Sequence, residues 1–261
     1  MTPSGNCFSL PMNSSGRASA SHASSQRRRK QRALTRLELL AVLGALALLA
    51  GVALPVLARG KPRSDVALCA NNLRQLGVAA LMHSMEEGGV FPARGTTNLW
   101  PQQLLRFYSR LDVLHCPADV PNPRTFVGPA AFPADRAARS YLINGWNDYY
   151  LETFGIFPPT SFNGSAMLES AIPSPSQTIL FGEKLSDSGH FYMDLIQAPG
   201  NDFFEVEHAR HGARRAGAVG GGSNHSMADG SVRTLNYGQA LAPTNLWAVM
   251  DRWRTNTLAI P

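Results

Sequence analysis

The longest apolar run of the chain lies near its N-terminus and covers residues 37–57. Glu38 is the one charged residue within it. A helix rises about 1.5 Å per residue, so a helix over this run is long enough to cross the roughly 30 Å hydrocarbon core of a bilayer. The pattern therefore predicts a transmembrane helix, to which we assign residues 34–59.

A second helical pattern follows this run. Apolar side chains recur every three or four positions between Val66 and Leu81, and Gly88-Gly89 comes soon afterwards. This spacing is typical of a helix with one apolar face, and glycines are typical of a helix end. We therefore predict that residues 60–89 continue the first helix as an amphipathic helix, interrupted or bent around Pro62.

The patterns after residue 89 favour a domain that mixes short strands with short helices. Strand-like runs fall at residues 140–144, 177–183, 190–196 and 224–236, and helical spacing falls at 99–111 and 244–254. Within the last strand-like run, Asp229-Gly230 has the composition of a two-residue hairpin turn. Residues 90–261 are therefore predicted to form an α+β domain with an antiparallel β-sheet.

The basic residues before the apolar run set the expected orientation. The net charge of the chain is +6, but residues 1–36 hold a basic cluster without an acidic residue, and the remainder is close to neutral. Positive charge beside an apolar helix favours the cytoplasmic side. We expect a single-pass protein of a bacterial inner membrane, with a disordered basic leader over residues 1–33 and a periplasmic or extracellular domain. No nucleic-acid partner is expected, because the domain lacks a basic excess.

Three explanations of the N-terminal segment compete: a cleaved secretory signal peptide, a plain signal anchor and the leader of a prepilin. A secretory signal peptide has a shorter apolar stretch and a small-residue cleavage site, which residues 55–60 do not supply. A plain signal anchor fits the length but leaves the charge of Glu38 without a partner. Only the prepilin explanation gives Glu38 a role.

The stretch that begins at Ala33 resembles the N-terminal cleavage and methylation segment of type IV pilins and type II secretion pseudopilins. The resemblance implies that a prepilin leader peptidase cuts between Ala33 and Leu34 and that Leu34 is then methylated. Glu38 becomes the fifth residue of the mature chain, and Pro55 weakens or kinks the helix because proline has no backbone N–H. Ala33 stands where the family usually has glycine, and Arg36 stands where it has an apolar residue.

Downstream segments resemble a bacterial subfamily of prepilin-like proteins that ends in a His–spacer–Asp-Gly motif. Residues 69–77 match its Cys-x-Asn-Asn-Leu-Arg-Gln-Leu-Gly stretch, and residues 116–119, which follow His115, match its Cys-Pro-x-Asp stretch. His211, Asp229 and Gly230 match the C-terminal motif, although the spacer is longer here than in the family.

The resemblance implies a non-enzymatic subunit of a secretion or surface-filament system. Such a subunit assembles with other pilin-like subunits through its N-terminal helix, in which Glu38 and Pro55 are the assembly residues. The freed amine of one chain pairs with Glu38 of the next and sets the register. The expected partners also include the prepilin leader peptidase and membrane lipid, and no cofactor is expected. The alternative is a signal-anchored periplasmic ligand- or metal-binding module.

Cys69 and Cys116 lie beyond the predicted transmembrane helix, where the compartment is oxidising. A disulfide between them is one prediction, and it would stabilise the fold by about 3–4 kcal/mol. Two buried free thiols are the other prediction, since sequence alone gives no distance between the two Cα atoms.

The richest polar segment covers residues 205–211, and His225 follows it. His208, His211 and His225 are weak candidates for a metal site, because imidazole is an ordinary metal ligand. The segment lacks the His-Glu-x-x-His spacing of a metalloprotease, so a polar surface loop is favoured and no metal is predicted. The chain also lacks a Gly-x-Ser-x-Gly nucleophile elbow, which favours a protein that is not an enzyme.

Overall fold

The computed structural model describes residues 35–120, 123, 125–126, 128–155, 164–195, 204–212 and 220–255, without the side chains of residues 53–63. The chain divides into two compact units, Met1–Gly51 and Val52–Pro261. The predicted leader, residues 1–33, lies outside the described residues.

The described residues have an α+β architecture. The helices are α1 (Arg36–Glu86), α2 (Trp100–Tyr108), α3 (Pro133–Arg136), α4 (Asn147–Phe154) and α5 (Asp251–Arg254). The strands are β1 (Tyr141–Asn144), β2 (Ile179–Glu183), β3 (Tyr192–Met193), β4 (Gly222–Met227) and β5 (Val232–Asn236). Short 3₁₀ turns lie at Leu111–Leu114, Glu169–Ala171 and Pro175–Gln177.

α1 begins with a capping box. The backbone N–H and the hydroxyl of Thr35 donate to Oε2 of Glu38 at 2.8 and 3.0 Å, and the Glu38 N–H donates to Thr35 Oγ1 at 3.2 Å. This reciprocal pattern satisfies backbone donors that the first turn of a helix leaves without partners. The backbone hydrogen bond from Thr35, and then the hydroxyl bond, lower the pKa of the exposed Glu38 carboxyl. Glu38 is therefore a charged group held at the start of the helix.

The predicted transmembrane helix is wrong for the described residues, since none of their helices is both long enough and apolar enough to cross a membrane. The described side chains of the first part of α1 end at Val52, and Arg36 and Glu38 occupy its first turn.

The second part of α1 has the amphipathic character that its spacing predicts. Cys69, Leu73 and Leu76 lie on one face of the helix and are fully buried. The backbone is helical through Pro62, where the sequence predicts an interruption, and the helix ends at Glu86. This buried face is the part of α1 that packs on the domain.

The five strands lie in the order β3-β1-β2-β4-β5. β2 pairs antiparallel with β1 and β4, and β4 pairs antiparallel with β5, whereas β3 runs parallel to β1. The predicted antiparallel sheet is therefore wrong, and the sheet is mixed. β1 and β4 occupy the two edges of β2, so β3 does not pair with β2. It pairs instead with the other edge of β1 and runs parallel to it.

The sheet separates two apolar cores. One core joins Leu73 of α1 and Trp100 of α2 to Phe181 of β2. The other joins Ile179 of β2 to Trp247 in the C-terminal segment. Both faces of the central strand are thus covered, which explains why its run is apolar without a break from Ile179 to Phe181.

Two local predictions have different outcomes. β4 and β5 form the hairpin predicted over residues 224–236. The predicted two-residue turn is wrong, because the Met227 N–H donates to the Ser231 carbonyl at 2.8 Å and the loop therefore holds three residues, with Gly230 at a φ of +80°. The helix predicted over residues 244–254 is wrong for most of its length, because only α5 is helical there. In that segment the Trp247 N–H does not make a helical backbone hydrogen bond. It donates to the side-chain oxygen of Asn245 at 3.1 Å.

Candidate functional site

Four buried side chains from distant parts of the chain meet at the end of β2. They are Cys69, Cys116, Glu183 and His211, and we call them the four-residue cluster. One sulfur, oxygen or nitrogen atom from each lies within 4.8 Å of the corresponding atoms of the other three. His211 is 6% exposed and the other three are fully buried.

Regular structure positions two members of the cluster. Cys69 lies one turn before Leu73 on the buried face of α1. Glu183 is the last residue of β2 and pairs with Tyr141 of β1. Side chains two apart on a strand share a face, so Glu183 points to the same face as Phe181, toward α1.

Backbone hydrogen bonds position the other two members. The Cys116 N–H donates to Ser140 Oγ at 2.9 Å, just before β1 begins. His211 exchanges two backbone hydrogen bonds with Gly222, each 2.8 Å long, at the first residue of β4. His211 is therefore fixed to the sheet although a long segment separates it in sequence from the Asp229-Gly230 turn.

Glu183 lies at the centre of the cluster. Its Oε1 accepts a hydrogen bond from Cys69 Sγ at 2.9 Å and lies 3.0 Å from His211 Nε2. Cys116 Sγ lies 3.8 Å from the same His211 nitrogen. Thiol, imidazole and carboxylate groups thus converge on one small volume.

Polar groups around the cluster hold its members in place. The Asn224 N–H donates to Glu183 Oε2 at 2.8 Å, and the Tyr141 hydroxyl donates to Cys69 Sγ at 3.3 Å. Arg210 Nε lies 3.4 Å from Glu183 Oε1, and its Nη1 lies 2.6 Å from Asp119 Oδ1. The buried guanidinium therefore balances two buried carboxylates.

Mutual interactions set the charges in the cluster. Burial acts to raise the pKa of Glu183, but the hydrogen bond and charge of His211, and then the charge of Arg210, lower it to about 2. Burial acts to lower the pKa of His211, but Cys116 and Glu183 raise it to about 9. Burial raises the pKa of Cys69, whereas its hydrogen bond lowers the pKa of Cys116. Glu183 is consequently a carboxylate, and His211 pairs with it as an imidazolium at neutral pH.

The three histidines singled out by sequence do not come together. Only His211 belongs to the cluster. His225 lies beside the Trp247 ring, in the other core, and its Nδ1 is 3.1 Å from the Ser223 carbonyl. Burial lowers the pKa of His225 to about 4. His208 lies near the Tyr237 ring, with the two ring centres 5.6 Å apart.

The Asp-Gly pair of the C-terminal motif has a turn geometry. Asp229 Oδ1 accepts the Ser231 N–H at 2.9 Å. A Cβ at Gly230 would lie 2.9 Å from Leu81 Cδ1 of α1. The motif therefore marks the two ends of β4: His211 is bonded to its first residue, and Asp229-Gly230 follows its last residue closely.

The predicted processing residues are only partly within the described chain. Ala33 and Leu34 lie outside the described residues, and the side chain of Pro55 does too. Glu38 is described, and its carboxylate contacts Thr35 in the capping box. The sequence carried this signal, because Thr35-x-x-Glu38 is the pattern of a capping box.

The structure brings Cys69 and Cys116 together as free thiols. The disulfide between them stays a prediction. Sequence analysis overlooked Glu183, the residue between the two thiols and His211. A signal was present: Phe181 and Glu183 share a strand face, so a carboxylate had to lie against the same core as the aromatic ring.

No protein-family model, curated protein or solved structure matches the chain. The resemblance to prepilin-like proteins therefore stays a prediction based on its motifs.

Proposed function

We propose that this chain is a non-enzymatic, pilin-like subunit of a secretion or surface-filament system. It assembles with other pilin-like subunits through the first part of α1. The observation that carries the proposal is the exposed apolar surface of α1 before Val52.

This surface is large and covers all sides of the helix. The apolar side chains that are at least half exposed in this part are Leu37, Leu39, Leu40, Val42, Leu43, Leu46, Leu48 and Leu49, with exposed fractions between 51 and 79%. Apolar surface of this extent is costly in water and is typical of an interaction site. A helix is a suitable partner, because apolar side chains at helical spacing pack into the grooves of a second helix.

Glu38 supplies the polar part of this contact. Its carboxylate lies in the first turn of the apolar helix, and its hydrogen bonds with Thr35 favour the charged form. An anion among apolar side chains has a natural partner in a cationic amine. In the proposed assembly, that amine is the new N-terminus of a neighbouring subunit after cleavage between Ala33 and Leu34.

The remaining parts of the pilin-like prediction belong to the proposal as well. They are cleavage by a prepilin leader peptidase, methylation of Leu34, and a periplasmic or extracellular domain. These parts are supported by the motif order and by the charge of residues 1–36.

Site-specific photo-cross-linking in the native cells tests the assembly. A photo-reactive phenylalanine analogue replaces Leu46, which is 56% exposed on α1, and in a control chain it replaces Val120, which is 71% exposed in the other compact unit. The proposal predicts several-fold more cross-linking from position 46. Mass spectrometry should map the joined peptide to the N-terminal helix of a second copy or of another pilin-like subunit.

Glu38→Gln in the Leu46-labelled chain tests the charge pairing. This change removes the negative charge and keeps the shape, so cross-linking should fall several-fold. Equal cross-linking from positions 46 and 120, or products joined only within one chain, would contradict the assembly.

A further inference from the structure

The four-residue cluster has the donor set of a zinc centre. Zinc is bound by cysteine thiolates, histidine nitrogens and carboxylate oxygens, whereas magnesium and calcium prefer oxygen donors alone. The cluster offers two sulfurs, one imidazole nitrogen and one carboxylate oxygen, all buried. We propose that Cys69, Cys116, Glu183 and His211 bind one zinc ion as a structural site.

The distances fit a tetrahedral ion. Zinc bonds of about 2.3 Å to sulfur and 2.0–2.2 Å to nitrogen or oxygen place tetrahedral ligand atoms roughly 3.3–3.8 Å apart. In the structure, Cys69 Sγ and His211 Nε2 lie 2.9 and 3.0 Å from Glu183 Oε1, and Cys116 Sγ lies 3.8 Å from the His211 nitrogen. No pair exceeds 4.8 Å. Side-chain movements of about 1 Å convert these contacts into tetrahedral ones.

The charges also fit a dication. Coordination takes both sulfurs as thiolates and His211 as the neutral imidazole, and the protons that these groups carry are released to solvent. Two thiolates and the Glu183 carboxylate then leave one excess negative charge around the zinc ion. Arg210 is placed to offset it, with Nε 3.4 Å from Glu183 Oε1.

The surrounding hydrogen bonds hold ligand atoms in orientations that suit coordination. The Asn224 N–H occupies Oε2 of Glu183 and leaves Oε1 directed at the cluster. The Tyr141 hydroxyl donates to Cys69 Sγ. The Cys116 backbone is fixed by Ser140. Partners of this kind orient ligands in metal sites and raise the affinity for the ion.

Four protein ligands and full burial indicate a structural ion, because catalytic zinc keeps one position for water or substrate. The ion would join α1, the segment after the Leu111–Leu114 turn, the end of β2 and the residue bonded to the start of β4. It would therefore tie the second part of α1 to the sheet. The site is independent of the assembly proposed above, and either can fail without the other.

The competing chemistry is a disulfide between Cys69 and Cys116. That bond would use both sulfurs, transfer two electrons and two protons from the thiols to an external oxidant such as another disulfide, and leave Glu183 paired with His211. It cannot coexist with zinc bound through both thiolates. The two states differ in mass, metal content and thiol reactivity.

Metal analysis of the full-length chain tests the proposal. The chain is purified in reductant without chelator from cells grown with zinc, and its metal content is measured by plasma mass spectrometry. We expect one zinc per chain. Glu183→Gln removes one ligand and should weaken zinc binding at least tenfold in competition with a chelator. The matched control is Glu169→Gln, because Glu169 also accepts a side-chain hydrogen bond, from Ser84 at 2.8 Å, but lies outside the cluster. It should keep full zinc content.

Cobalt substitution of the wild-type chain gives a second measurement that needs no variant to fold. Co²⁺ added to the zinc-free, reduced chain should give thiolate-to-cobalt absorption at one equivalent, and zinc should displace it. Cys116→Ser should lose about half of that absorption. The control is the third cysteine of the sequence, Cys7, which lies in the leader outside the described residues, and Cys7→Ser should lose none. Less than one tenth of an equivalent of zinc, together with no cobalt absorption, would overturn the proposal. So would a native chain that is lighter by two hydrogens with both thiols unreactive.

Discussion

Asp148 is a buried carboxylate that connects α4 to the C-terminal segment. Its Oδ2 accepts the backbone N–H groups of Val249 and Met250 at 2.7 and 2.8 Å. Burial raises the pKa of Asp148, although these N–H groups oppose the shift. The side chain therefore takes up a proton more readily in the folded chain than in the unfolded chain.

This shift in the pKa of Asp148 makes the free energy of unfolding depend on pH. A carboxyl whose pKa is raised on folding contributes stability that is fully present below its unfolded pKa of about 3.9 and is lost as the pH rises through the folded pKa. Wild type should therefore gain stability relative to Asp148→Asn as the pH falls from neutral toward about 4. Urea unfolding of both chains across this range measures the difference. A difference that does not change with pH would contradict the role of Asp148.

At the scale of single elements, β2 passes so close to the C-terminal segment that it needs a glycine. A Cβ at Gly182 would lie 2.6 Å from Cζ2 of Trp247 and 3.0 Å from Cδ2 of His225. Both rings are buried, so neither has free space to move into. The glycine is required by this close approach, because the backbone of β2 is ordinary extended strand.

Gly182→Ala should therefore destabilise the fold by about 1–3 kcal/mol through overpacking. The matched control is Gly44→Ala in the first part of α1, where an added Cβ meets no atom within 4 Å. Alanine is also the better helix former, so the control should not lose stability. Denaturant unfolding of the three chains gives the comparison, and equal midpoints for wild type and Gly182→Ala would show that the strand can move away from Trp247.

The sequence predicts well those elements whose formation depends on residues close together along the chain. The amphipathic part of α1, α2 and the β4–β5 hairpin follow from helical spacing, strand runs and the Asp229-Gly230 turn. The parallel position of β3 could not be predicted in this way, because it depends on which edges of the sheet the other strands leave open. The C-terminal segment has helical spacing but is held by buried polar side chains, including Asn245, outside a helix.

At the scale of the whole molecule, the four-residue cluster shows the same limit. Sequence analysis paired Cys69 with Cys116 in one predicted disulfide and singled out His211 for the C-terminal motif and as a weak metal candidate, but it did not bring the three residues together. Their approach depends on α1 lying against the sheet face that carries Glu183, and no local pattern contains that information. The zinc proposal therefore arises from the fold, whereas the individual ligands other than Glu183 are visible in the sequence.

The two compact units differ in how they treat apolar side chains. The described part of residues 52–261 contains two apolar cores on the faces of the sheet. The large apolar side chains of α1 from Leu37 to Leu49 are exposed by half or more. The central feature of the proposed assembly is an exposed apolar helix whose first turn carries the charged Glu38 and begins with the Thr35–Glu38 capping box.

Intact mass spectrometry of the protein extracted from its native cells tests the pilin-like account most directly. Processing at the predicted site gives a chain that begins at Leu34, heavier by one methyl group if its amine is modified, and with Glu38 as its fifth residue. The account predicts this mass. A chain that still begins at Met1 in assembled material would contradict it.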